Sequence, residues 1–181
     1  MDFLKRVGLI LLIAIGVSAG LYLLARTSTP ASLVGQRAKN IEFFTLDGQR
    51  KSLSQLHSQP VLINFWRGDC PPCLQELPSM EQFATDHPEL TVWLVCLDSS
   101  RDQIEDTVET ALRGTTFDHA EIRYCGEDRL NLKQLYKDYA ITGIPRTLLV
   151  DGNGIIQADL LGARSASELQ QELVKAGLLK E

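Results

Sequence analysis

Residues 61–86 read VLINFWRGDCPPCLQELPSMEQFATD, and this stretch decides the architecture. Val61 to Trp66 is a compact apolar run opened by Pro60, the pattern of a buried strand. From Pro71 to about Asp86 the apolar residues Leu74, Leu77, Met80 and Phe83 recur at helical spacing. Cys70 and Cys73 lie at the junction, separated by two prolines that suit a first helical turn, where no intrahelical N–H bond is lost. Cys70 therefore stands at a helix N-terminus, where unpaired N–H groups and the positive end of the macrodipole favour a thiolate. The spacing lets both sulfurs meet across one turn, so a disulfide can open and close with little backbone motion. Cys70 is expected to be the exposed nucleophile, and Cys73, one turn in, the resolving thiol. The competing reading is half of a zinc site. Structural zinc takes four ligands, usually from a second paired knuckle, whereas Cys96 and Cys125 are single and His57, His87 and His119 are scattered. No metal is expected.

Working outward, Ile41–Leu46, Asp47-Gly48 and Gln49–Leu53 form a strand, a tight turn and a strand. After the cysteine helix come a strand over Leu90–Leu97, a helix over Asp102–Leu112, a strand over Ala120–Cys125 and a helix over Leu130–Tyr139. Arg146–Val150, then DGNG, then Ile155–Leu161 is a hairpin signal, and a helix capped by Ser165 or Ser167 closes the chain. Alternation of strands with helices predicts an α/β fold: a mixed, mostly parallel sheet covered on both faces, with antiparallel strands at one edge. Cys96 and Cys125 end two strands that a helical crossover would make neighbours. A bridge between them and two separate buried thiols are both compatible with that placement. Trp66 is a candidate for shaping the site, and packing in the core is its alternative. The acidic set Asp102, Glu105, Asp106 and Glu109 reads as a solvated helix face.

The 181 residues fit one domain plus an appendage. Residues 1–39 carry a net charge of +4 and residues 40–181 a net of −9. An acidic globular part argues against a nucleic-acid partner, which needs a Lys/Arg footprint. Val7 to Ala25 is nineteen residues without a charge, long enough to cross a membrane. A cleaved signal peptide and a retained anchor compete. The length of the run and the poor cleavage site at Leu23-Leu24-Ala25-Arg26 favour the anchor. The expected organisation is an N-terminal transmembrane helix in residues 1–25, a linker over 26–38 and a globular domain over 39–181.

Taken together, NFWRGDCPPCLQELPSMEQF (residues 64–83) and YAITGIPRTLLVDGNGIIQADLLG (139–162) resemble the TlpA/ResA-like, membrane-anchored thiol–disulfide oxidoreductases of the thioredoxin superfamily. The resemblance implies a thioredoxin-like fold with an N-terminal β-hairpin and an inserted α-β unit. It implies a Cys70–Cys73 redox pair without a cofactor, Glu76 as the acidic residue three after the second cysteine, and Pro145 as a cis-proline beside the pair. Pro78 matches the proline that bends the active-site helix. The Ile144-Pro145-Arg146 loop would then bind substrate, its backbone pairing with an extended chain. Glu76, at i+3 from Cys73, shares its helix face and is placed to accept its proton. Arg146 stands where relatives often carry Thr or an acidic residue, and is expected to favour acidic substrate surfaces. Asp69 stands where relatives usually have Trp.

The implied activity is disulfide reduction in exported proteins, with a link to cytochrome c or metalloprotein maturation. The implied location is a single-pass inner-membrane protein with its C-terminal domain on the periplasmic or extracytoplasmic face. A membrane protein carrying thiols would supply electrons. Copper delivery by soft thiolates and a thiol peroxidase of the same fold are the alternatives.

Overall fold

The computed structural model describes residues 7, 13–18, 20, 32–56, 58–98, 100–126 and 129–179. The chain divides into two units, Met1–Ala31 and Ser32–Glu181. In the first, Val7, residues 13–18 and Gly20 are helical. The expected membrane span lies mostly outside the described residues. Among those described, no helix is long and apolar enough to cross a membrane.

The second unit runs β1 (Glu42–Thr45), β2 (Arg50–Ser52), a 3-10 turn (Leu53–Gln55), β3 (Val61–Trp66), α1 (Pro71–Asp86), β4 (Thr91–Cys96), α2 (Arg101–Ala111), β5 (Ala120–Tyr124), α3 (Arg129–Asp138), β6 (Arg146–Val150), β7 (Ile156–Leu161) and α4 (Ala166–Lys175). Its seven strands form one sheet in the order β2-β1-β5-β4-β3-β6-β7. All six residues of β3 are buried, as an apolar run without alternation requires of a strand covered on both faces. One apolar cluster holds Cys73, Leu77, Met80 and Phe83 of α1 with Ile104 of α2 and Leu169 and Leu173 of α4. The other holds Leu135 and Tyr139 at α3 with Phe43, Ile63, Phe65 and Trp93. The two crossovers β3-α1-β4 and β4-α2-β5 thus share one face, and α3 lies on the other.

The α/β class, the N-terminal hairpin and the inserted α2-β5 unit stand as expected. The sheet is not mostly parallel in its pairings: only β3–β4 and β4–β5 pair in parallel, while the other four are antiparallel. Two of the four are the hairpins β1–β2 and β6–β7; of the others, β3–β6 is antiparallel because the chain after α3 enters β6 at the end of the sheet where β3 finishes, so Arg146 pairs with Phe65 and Val150 with Val61. A further difference lies before β1, where residues 32–38 belong to the folded body rather than to a free tether. Leu33 is buried, and the Gly35 N–H donates to Ile156 O at 2.8 Å.

Candidate redox site

α1 begins where β3 ends, with Cys70 as its N-cap and prolines at the first two helical positions. The Cys73 N–H donates to Cys70 Sγ at 3.3 Å, so one orphan amide of the helix end faces this sulfur. Cys70 and Cys73 form a disulfide across the turn, with Cα atoms 5.3 Å apart. Cys70 keeps 8% of its surface exposed and Cys73 none, which makes Cys70 the sulfur that a partner can reach.

The loop before Cys70 is held by Asp98, just past β4. Its Oδ2 accepts the Gly68 N–H at 2.7 Å and its Oδ1 accepts Arg67 Nε at 3.2 Å. Arg67 Nη2 also meets Asp69 Oδ2 at 2.9 Å. One guanidinium is thus shared between two carboxylates, Asp69 beside Cys70 and Asp98, and opposes their charge in part. A Cβ on Gly68 would come within 2.6 Å of Thr107 Oγ1, so this close approach of the loop to α2 requires glycine.

Glu76 lies one turn below Cys73 and is 2% exposed. Its Oε1 accepts the Arg164 N–H at 2.9 Å, and its Oε2 accepts Asn64 Nδ2 at 3.1 Å. Asn64 reaches onward to Thr147 Oγ1 at 3.0 Å, joining β3, α1 and β6 beneath the disulfide. Burial pushes the Glu76 carboxyl up to about 7, opposed by the Arg164 N–H, the Asn64 amide and the Arg164 charge.

Because the folded protein holds this proton more tightly than the unfolded chain, it binds more protons between the ordinary carboxylate value and about 7. The contribution to stability is full at acid pH and is lost as pH rises through that window. Glu76→Gln is expected to flatten this decline in urea midpoints measured from pH 4 to 8. A decline as steep as in the parent chain would place the titration elsewhere.

The Ile144–Pro145 bond is cis, and Arg146, paired with Phe65 at the end of β3, carries this loop to the same sheet edge as Cys70. Pro145 is buried and Ile144 partly exposed. Arg146 itself corrects an expectation. Its side chain points inward, with Nε and Nη2 on the two oxygens of Asp159, each at 2.8 Å, and Nη1 on the Ala140 carbonyl. Side-chain exposure is 4% for Arg146 and 7% for Asp159, so the guanidinium presents no charge to acidic substrate surfaces.

Trp66 is likewise interior, fully buried in the α1 cluster, and does not serve as a substrate contact. Cys96 and Cys125 are unbridged. The β4–β5 register sets Cys96 level with Tyr124, and successive side chains alternate faces. Cys96 accordingly joins the α1 cluster and Cys125 the α3 cluster, on opposite sides of the sheet. Burial pushes both thiols up, Cys125 to about 12, so neither is a thiolate at neutral pH.

Asn64, Asp98, Asp159 and Arg164 escaped the sequence reading. Asn64 alone left a signal, as the one amide in an otherwise apolar strand.

A redox disulfide capping a helix after a central strand, on a sheet of this topology, defines a thiol–disulfide oxidoreductase of the thioredoxin fold. The Redoxin family profile matches residues 33–173, and the chain belongs to that family. It is 28% identical over 139 residues to "Thioredoxin-like protein YneN" of Bacillus subtilis, covering 77% of this chain and 78% of the relative. It is 25% identical over 173 residues to "Thiol-disulfide oxidoreductase ResA" of Bacillus thuringiensis, covering 95% of each. The crystal structure of a putative thiol:disulfide interchange protein DsbE from Chlorobium tepidum superposes with a TM-score of 0.66 at 25% identity, covering 80% of this chain and 99% of that one.

Proposed function

We propose that this oxidoreductase is anchored in the cytoplasmic membrane by residues 1–25, faces the extracytoplasmic side and reduces disulfides of exported proteins. The observation that carries the redox reading is the Cys70–Cys73 disulfide at the start of α1 with the buried Glu76 one turn below. The anchor is supported by the uncharged run Val7–Ala25 and by a match to the ResA relative that extends over 95% of the chain.

In the forward cycle the Cys70 thiolate attacks a substrate disulfide, forms a mixed disulfide and releases one substrate thiolate. Cys73 gives its proton to Glu76, and its sulfur attacks Cys70. That releases the second substrate sulfur as a thiolate and leaves the Cys70–Cys73 disulfide. A membrane dithiol donor then reduces the pair, becoming a disulfide itself. The Ile144–Pro145 segment lies beside the pair and offers backbone to an extended substrate chain.

Equilibration with glutathione tests the direction. A reductant couple of low potential stays oxidised in ordinary glutathione buffers. Accumulation of the dithiol under those conditions would make the protein an oxidase.

The proton transfer has its own signature. The resolving step, followed as product release in single turnover, is expected to rise with pH through about 7, where Glu76 becomes a carboxylate able to accept the proton. Glu76→Gln is expected to slow that step by about 10²-fold and to remove the inflection. Persistence of the inflection in the variant would exclude Glu76 as the acceptor.

A further inference from the structure

On the α3 face of the sheet, near the N-terminal end of β4, a cavity of about 440 Å³ is bounded by β2, the 3-10 turn, Thr91, Trp93, Glu121 and Arg123. Arg123 is 3% exposed and lies with its guanidinium carbon 5.4 Å from the centre of the Trp93 ring. Glu121, on the rim with 46% of its side chain exposed, meets Arg123 Nη2. Arg123 Nε and Nη1 have no partner, and neither does Trp93 Nε1. Among the described residues five buried side-chain polar atoms are orphaned, and three of them belong to these two residues of one cavity.

All three orphans are N–H donors. A buried donor without an acceptor is costly, more so when the group is charged, so such a cluster in one cavity is unlike a packed core. Burial also disfavours the Arg123 charge, opposed only in part by Asp47. The remaining lining supplies further hydrogen-bonding groups, Ser52, Gln55 and Thr91, and a second cation, Lys51. Lys51 and Arg123 are the cations of the lining and Glu121 its one carboxylate, with Asp47 also acting on Arg123 from outside it.

We propose that this cavity is a binding site for a small oxyanion, a carboxylate or a phosphate, held by Arg123 and Trp93 and steered by Lys51. Several oxygens are required because the free donors diverge from one guanidinium and from a separate indole; a lone carbonyl would satisfy one of them. Glu121 occupies Nη2, and the ligand meets Nε or Nη1, which lie on different edges of the guanidinium. The redox pair follows the opposite, C-terminal end of β3, so occupancy here is a binding function distinct from disulfide exchange.

The probes are inorganic phosphate and succinate, titrated at constant ionic strength into 15N-labelled protein, with the Trp93 indole and Arg123 Nε–H resonances as readout. The expected result is a saturable shift of both with half-saturation at millimolar concentration or below. The stronger of the two probes identifies the oxyanion geometry. Lys51→Gln, a change at an exposed position, is expected to weaken binding about two- to fivefold. Arg123→Met, checked for folding by its amide spectrum, is expected to abolish the Trp93 shift. Resonances that ignore both probes, or that respond equally to added chloride, would overturn the proposal. So would full binding by a folded Arg123→Met chain.

Discussion

Cys70→Ser is expected to bring insulin-disulfide reduction down to the uncatalysed background, while Cys96→Ala and Cys125→Ala keep near-parental turnover. The four cysteines differ in environment rather than in chemistry. Cys70 caps α1, accepts an amide hydrogen and retains a reachable surface. A thiolate is the attacking species, and a serine hydroxyl at that point stays protonated at neutral pH. Cys96 and Cys125 are buried in separate clusters and held as thiols by desolvation. Cys96 also donates to Asp98 at 3.4 Å, which keeps its proton in use. Turnover by Cys70→Ser at a fair fraction of the parental rate would move the reactive sulfur elsewhere.

Arg146→Ala is expected to destabilise the folded unit by about 3–5 kcal/mol, because it leaves the Asp159 carboxylate buried without its counter-charge. The pair is bidentate, and Asp159 Oδ2 also accepts the Leu33 N–H at 2.9 Å. One guanidinium thereby ties the proline loop to β7, to the carbonyl at the end of α3 and, through Asp159, to the segment ahead of β1. At a urea slope of about 1–3 kcal/mol/M, the midpoint falls by roughly 1 M or more. The double change Arg146→Met with Asp159→Leu is expected to recover much of the loss, since paired apolar replacements of buried ion pairs are often near neutral. A midpoint shift for Arg146→Ala worth less than about 1 kcal/mol would mean that water reaches the Asp159 carboxylate.

The part of this molecule written in local pattern was readable from the chain. The apolar run of β3, the period of α1, the prolines after Cys70 and the DGNG turn each report on a few neighbouring residues, and each element forms where expected. What that pattern leaves undecided depends on register and direction. Of the two readings open for Cys96 and Cys125, separate buried thiols hold, because Cys96 is level with Tyr124 and Cys125, one residue past β5, points to the other face. The antiparallel entry of β6 is set by the path after α3, which hydrophobic periodicity does not encode. The inward turn of Arg146 follows from a partner thirteen residues away on β7. Around the site, Arg164 contacts Glu76 across 88 residues and Asp98 contacts Gly68 across 30. Such pairs leave no local trace.

Trapping the covalent intermediate tests the division of labour between the two sulfurs most directly. Reduced Cys73→Ser and reduced Cys70→Ser are each mixed with a disulfide-bonded protein substrate, quenched in acid and mapped by mass spectrometry. A substrate adduct on Cys70 in the first variant, with none in the second, is the predicted result. An adduct on Cys73, Cys96 or Cys125 in the folded Cys70→Ser chain would contradict the assignment of the helix-capping sulfur as the nucleophile.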